Sequence, residues 1–270
     1  MQNLIDTVGQ VARDLWIRGW AERNAGNLSY RLSRENLPER KLWEEPWHDI
    51  GAHVPDAGGM RLLITATGSF LRVLDRNSER DLGVIEVDES GRRYRVLWGF
   101  EGGGGPTSEL FAHLRAHSAR VRVGGAERAL VHTHTPNLVA LSYAKGLTTE
   151  SLTRLLWEMH TECIVVFPEG CGFLDWRLPG SEDLAKASEK VFEKRTLAVW
   201  DRHGVVALGP DFETAFGLVE TAERAAEIYL KVAALGPVER KLTNDQLMAL
   251  AEKFGVEPDE EILGGGEAGR

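Results

Sequence analysis

The chain has 270 residues, of which 43% are hydrophobic and 27% charged, with a formal net charge of -9. This composition is globular and excludes global disorder. The acidic balance argues against a general nucleic-acid or anionic-membrane surface, which needs clustered positive potential, while a few local donors still suffice for a small anion. Only Cys163 and Cys171 are present, without C-x-x-C spacing, so both are read as small hydrophobes in a reducing compartment rather than as a disulfide framework. The N-terminus lacks a basic stretch followed by an apolar core, and no apolar run reaches ~18 residues, so a cytoplasmic protein is expected.

Leu4, Ile5, Val8, Val11, Ala12, Leu15 and Trp16 recur at three- and four-residue intervals, which predicts an amphipathic helix ended by Gly19. A turn-rich stretch, Glu22-Arg23-Asn24-Ala25-Gly26-Asn27, feeds an alternating strand over 28–32 and can present backbone N–H groups to an anion. Pro38, Pro46 and Pro55 then break all periodicity, so 33–60 is read as an irregular insertion. A buried strand over 61–66 ends in a second small turn, Thr67-Gly68-Ser69, and the runs 82–88 and 94–98 predict an antiparallel hairpin. Beyond the glycines at 102–105, Thr107 or Ser108 is expected to cap a helix running through His117, whose N-terminus would favour phosphate. Glu109 falls in its first turn, where it complements the helix dipole or serves chemistry, and His113 and His117 are expected at the surface.

The segment Val131-His132-Thr133-His134-Thr135-Pro136-Asn137 sits where a strand ends and a helix begins. Histidines at i and i+2 of an extended segment project to one face and can reach one cation. With His203 as a third imidazole and Glu109 as a nearby carboxylate, the set describes a catalytic rather than a structural metal site. Helices are expected at 136–143 and 152–158, a buried strand at 163–167, and a helix from the Ser181 cap to about 194. A strand at 196–200 pairs with 204–209, and a long helix follows over 212–235. Thr243-Asn244-Asp245-Gln246 makes a capping box for a last helix ending near Phe254. The whole chain, 1–270, is read as one domain with a disordered tail at 258–270, since no linker or internal repeat separates two cores.

Together these segments resemble the class II aldolase/adducin superfamily, and within it the rhamnulose-phosphate aldolases. The resemblance is carried by the 22–28 turn, Pro106-Thr107-Ser108-Glu109-Leu110, His132-Thr133-His134, Leu156-Trp157-Glu158 with Thr161-Glu162-Cys163, Phe167-Pro168-Glu169-Gly170, and His203-Gly204. It implies an α/β fold with a mainly antiparallel central sheet flanked by helical layers, and assembly as a C4 homotetramer with sites near subunit interfaces. It also implies Zn2+, one per subunit, on His132, His134 and His203, with Glu109 as catalytic carboxylate and Glu162 contributed by a neighbouring subunit. Asn24, Gly26, Asn27, Thr67, Gly68, Thr107 and Ser108 resemble positions that bind the phosphate or adjoining hydroxyls of a phosphorylated ketose. The chain departs from the family pattern at Ala25, where glycine is usual, and at Ala66-Thr67-Gly68-Ser69, which replaces Gly-Ser-Gly-Lys.

The chemistry suits the residues. Cleaving a carbon–carbon bond beta to a ketone leaves a negative charge that a Lewis-acidic cation can hold, so no Schiff-base lysine is required. A fuculose-phosphate aldolase, a pentulose-phosphate 4-epimerase or a dehydratase of the same superfamily would use the same triad. The long N-terminal insertion and the Thr161-Glu162-Cys163 context favour the rhamnulose type. A non-catalytic adducin-like module would leave the histidines and Glu109 coincidental, and an all-β cupin would not accommodate the predicted helices.

Overall fold

The computed structural model describes residues 1–33 and 46–264. The chain divides into two compact units, the first made of Met1–His134, Arg177–Glu193 and Leu208–Ala215, the second of the remaining described residues. No helix among the described residues is long and apolar enough to cross a membrane.

In the first unit, strands β1 (Asn27–Arg31), β2 (His48–Asp49), β3 (Arg61–Thr65), β4 (Leu82–Val87), β5 (Arg93–Gly99) and β6 (Ala129–Thr133) lie in the order β2-β5-β4-β3-β1-β6. Every pairing among them is antiparallel. The register between β1 and β6 sets Asn27 opposite His132 and Ser29 opposite Leu130. Helix α1 (Gln2–Ile17) buries Ile5, Val8, Val11, Ala12 and Leu15, the stripe that its apolar spacing predicts, and Gly19 takes a φ of 75° just beyond its end. A four-residue helix, α2 (Ser78–Asp81), leads into β4. Helix α3 (Leu110–Arg122) packs against α7 (Glu182–Phe192), and Arg115 on the first donates to Glu189 on the second at 2.6 Å.

The second unit holds α4 (Pro136–Ser142), α5 (Thr149–Met159), α6 (Thr161–Val166), α9 (Asn244–Phe254) and α10 (Glu260–Gly264). It also holds β7 (Cys171–Leu174) and β8 (Leu197–Trp200). Strand β9 (Gly204–Gly209) pairs antiparallel with β8, whereas β7 pairs parallel with it, so this sheet is mixed. The expectation of a mainly antiparallel architecture is corrected accordingly. Helix α8 (Phe212–Ala233) supplies Glu223, whose carboxylate accepts from the Asn137 and Leu138 amides at 2.9 Å each and so caps α4. Cys163 and Cys171 are buried free thiols, held well above the ordinary thiol range by burial, Cys171 at about 12.

Several expectations need correction. The apolar run at 163–167 is helical through Val166, with Phe167 as C-cap, and not a strand: a short buried run satisfies either period, and here Cys163 N–H donates to the His160 carbonyl and Phe167 N–H to that of Cys163. The strand that does form lies further on, at Cys171–Leu174, and is short with an internal glycine. Neither Thr107 nor Ser108 caps α3; the N-cap position belongs to Glu109, without a side-chain cap bond. Part of the supposed irregular insertion is ordered, since β2 pairs with β5 and Pro55–Ala57 forms a 3-10 turn, while 34–45 lie outside the described residues. Within the tail read as disordered, α10 buries Ile262, and 265–270 lie outside the described residues.

The expectation most thoroughly overturned concerns His113 and His117, which are 1% and 0% exposed. Burial first, then His117 for the one and Arg31 for the other, lowers both imidazoles to about 3, so they are neutral in the folded chain. An unfolded histidine titrates near ~6.5, so between there and 3 the unfolded state binds protons that the folded state refuses. The stability this pair contributes is present above the unfolded value and is lost as pH falls toward the folded one. Two such groups give a slope of up to about 2.7 kcal/mol per pH unit. Thermal melts should show Tm falling through this window, with a shallower fall in a His113→Gln, His117→Gln double variant. Equal slopes in the two proteins would contradict the assignment.

Candidate active site

The end of β6 is fixed by one carbonyl. Thr133 Oγ1 donates to the Trp20 oxygen at 2.6 Å and His134 N–H donates to the same oxygen at 2.9 Å, which ties the strand end to the loop after α1. His132 is buried and His134 half-buried, with ring centroids 5.2 Å apart, as the i, i+2 spacing predicts. Glu22 Oε1 lies 2.8 Å from His134 Nδ1. A carboxylate only accepts, so Nδ1 carries the hydrogen and Nε2 of the neutral ring keeps its lone pair. In the second unit, His203 closes the turn between β8 and β9. Its N–H donates to the Trp200 carbonyl at 3.1 Å, Arg202 takes a φ of 56°, and its ring lies 5.1 Å from that of Trp200. His132 and His134 stand in the first unit and His203 in the second, and each offers one imidazole nitrogen of the kind a metal ion takes.

Because Asn27 faces His132 across the β1–β6 ladder, their side chains share one sheet face, and both reach the start of α3. Asn27 Nδ2 donates to Glu109 Oε2 at 2.8 Å, and His132 Nε2 lies 3.3 Å from the same oxygen. Glu109 is only 6% exposed. Asn27, expected among the phosphate-binding residues, thus commits its amide to this carboxylate. Behind it, Asn27 Oδ1 lies 2.5 Å from His113 Nε2, His113 Nδ1 lies 2.7 Å from Ser29 Oγ, and the same hydroxyl lies 2.9 Å from His117 Nε2. Sequence reasoning missed Ser29, His113, His117 and Glu22. The signal present for three of them was a polar pair at i, i+2 on a strand matching polar residues at i, i+4 on a helix.

The remaining candidates lie on turns. Gly26 has a φ of 79°, and a Cβ there would stand 3.0 Å from the His132 carbonyl oxygen and 3.2 Å from Leu71 Cδ1, so only glycine lets this turn close against β6. Asn24 beside it is exposed. An isolated bridge joins Ala66 to Pro106, with Thr67 N–H donating to Gly105 and Thr107 N–H to Thr65, each at 2.9 Å. This pairing brings the Thr67-Gly68 turn beside Thr107-Ser108, with Thr67, Gly68 and Ser108 exposed and Thr107 buried. Thr107 Oγ1 accepts from the Glu109 amide at 3.3 Å. Glu162 is exposed in the first turn of α6, in the second unit.

The family described as Class II Aldolase and Adducin N-terminal domain matches residues 6–230. A rhamnulose-1-phosphate aldolase of Mannheimia succiniciproducens is 39% identical over 272 residues, covering 97% of this chain and 100% of its own. That of Pectobacterium atrosepticum is also 39% identical, over 93% of each chain. Among solved structures, a sugar-phosphate aldolase from Thermotoga maritima superposes with a TM-score of 0.76 at 34% identity, over 88% of this chain and 97% of that one. An L-fuculose 1-phosphate aldolase shares the fold at 20% identity, with a TM-score of 0.64 over 94% of this chain and 97% of its own.

Proposed function

The chain belongs to the class II aldolase and adducin family, and we propose on that footing that it is a metal-dependent carbon–carbon lyase. It cleaves L-rhamnulose 1-phosphate reversibly to dihydroxyacetone phosphate and L-lactaldehyde, a reading supported by two 39% identical relatives that are named rhamnulose-1-phosphate aldolase. The observation that carries the reading is the buried carboxylate of Glu109, held by Asn27 at the side of His132.

His132, His134 and His203 would hold one Zn2+ per chain. The donor set fits: imidazole nitrogens suit zinc, and a carboxylate on the far nitrogen of His134 is the usual orienting partner of a metal-ligating histidine. When bound, the cation supplies Lewis-acid stabilisation of the negative charge that develops on the ketose fragment. The protein groups move the protons. Glu162 of a neighbouring chain takes the proton of the C4 hydroxyl as the C3–C4 bond breaks and C4 becomes the aldehyde carbon. The electron pair of that bond stays with the three-carbon fragment, and Glu109 delivers a proton to its C3. In the condensation direction Glu109 removes that proton.

The turns at Asn24, Gly26, Thr67, Gly68, Thr107 and Ser108 hold the phosphate through backbone N–H and hydroxyl groups, which suits an acidic protein that binds an anion locally. Phosphate binding away from the breaking bond orients the reacting carbons. Because Glu162 acts on a neighbour's site, the active form is an oligomer, a C4 tetramer, and the protein works in the cytoplasm.

Two experiments test these roles. Glu109→Gln should keep its zinc by metal analysis yet exchange the C3 proton of dihydroxyacetone phosphate about 10²–10⁴-fold more slowly, whereas His132→Ala and His203→Ala should lose the metal. Wild-type exchange in the first, or full occupancy in the other two, assigns the roles elsewhere. Mixed oligomers of inactive Glu109→Gln and Glu162→Gln chains should regain partial activity, since some sites then receive both intact carboxylates. A Glu162→Gln chain with normal turnover, or a mixture that stays inactive after proven subunit exchange, contradicts the shared site.

A further inference from the structure

We infer that Ser29, His113 and His117 form a directed hydrogen-bond chain that fixes the Asn27 amide against Glu109, which makes His113 a positioning residue for proton transfer. The inference rests on the reading of Glu109 as the proton-transfer group. The direction follows from the chemistry of each atom. A carboxylate oxygen accepts, so at 2.8 Å from Glu109 Oε2 the Asn27 nitrogen donates, and the Asn27 oxygen must face the other way. That oxygen only accepts, so His113 Nε2, 2.5 Å away, carries the ring hydrogen.

His113 Nδ1 is then a lone pair and takes the single hydrogen of the Ser29 hydroxyl at 2.7 Å. Having given up that hydrogen, Ser29 Oγ accepts from His117 Nε2 at 2.9 Å. His117 Nδ1 has no hydrogen-bond partner among the described residues, so nothing in that surrounding favours the opposite tautomer. Each hydrogen points toward Glu109. Burial keeps both imidazoles neutral, which preserves this sense across the working pH range.

Reversing any link carries through the chain. Were His113 the Nδ1–H tautomer, its Nε2 lone pair would face the Asn27 oxygen, and the amide could relieve that contact only by turning its oxygen onto Glu109. The chain is not a proton wire, because the Asn27 amide does not ionise. Its effect is steric and electrostatic: it holds a donor against Oε2 of Glu109 and so fixes the orientation of the carboxylate.

The test uses the full chain loaded with zinc. Nitrogen-15 spectra of histidine-labelled protein should show His113 as the Nε2–H tautomer. His113→Leu should lower kcat at least about tenfold with KM changed less than about twofold, and His113→Gln, which again donates to Asn27, should recover most of the loss. An Nδ1–H tautomer in the wild-type chain, an unchanged kcat in His113→Leu, or Gln failing as badly as Leu overturns the inference. If His113→Leu does not fold, Ser29→Ala takes its place: a reduced kcat with unaltered KM supports the chain, and a wild-type kcat overturns it. Failure of the underlying reading is distinct, because it shows as normal turnover in Glu109→Gln.

Discussion

The site depends on one contact, the 2.8 Å hydrogen bond from Asn27 to a Glu109 carboxylate that also lies 3.3 Å from His132. A buried carboxylate is costly unless its oxygens are partnered, and here the partners come from two strands while the carboxylate comes from a helix start. The contact therefore requires the β1–β6 register, which puts Asn27 opposite His132, and it requires Glu109 at the N-cap of α3. A shift of one residue in that ladder would turn Asn27 and Ser29 to the other face and leave two buried imidazoles without their donors and acceptors.

The way α3 lies on the strand explains why a polar row runs so far into the interior. Two residues along a strand advance ~6.7 Å and four along a helix ~6 Å, so residues spaced by two on one element stay level with residues spaced by four on the other. Asn27 accordingly meets Glu109 and His113, and Ser29 meets His113 and His117. Such a row is tolerable only when its links are made, since a half-satisfied buried network is worse than an apolar one. Around it the core is ordinary: Leu62, Ile64, Ile85 and Leu114 are fully buried in one apolar cluster.

Much of this was legible in the sequence. The apolar stripe of α1, the β4–β5 hairpin, the Ser181 cap and the Thr243 capping box all follow from local patterns, and each is present. The H-x-H pair stands at a strand end, as the switch from the apolar run to Pro136 implies. What was not legible depended on tertiary neighbours. The run 163–167 reads as a buried strand until the hydrogen bonds of 161–166 show a helix, and β7 is too short for its pattern to register. His113 and His117 look like surface residues because nothing within α3 says that Ser29 and Asn27 wait opposite them. Asn27 reads as part of an anion-binding turn, and only the register with β6 shows that its side chain also meets Glu109.

On the proposed function, an acidic chain acts on an anionic sugar because the binding groups are confined to a few turns and the chemistry to one carboxylate beside His132. Aldol cleavage of a rhamnulose phosphate is tested most directly by product formation. The purified, zinc-loaded chain is supplied separately with L-rhamnulose 1-phosphate, L-fuculose 1-phosphate and ribulose 5-phosphate. Dihydroxyacetone phosphate and lactaldehyde should appear in equal amounts, with the highest kcat/KM for the rhamnulose ester. Absence of dihydroxyacetone phosphate from that substrate, or conversion of the pentulose phosphate into its epimer instead, would contradict it.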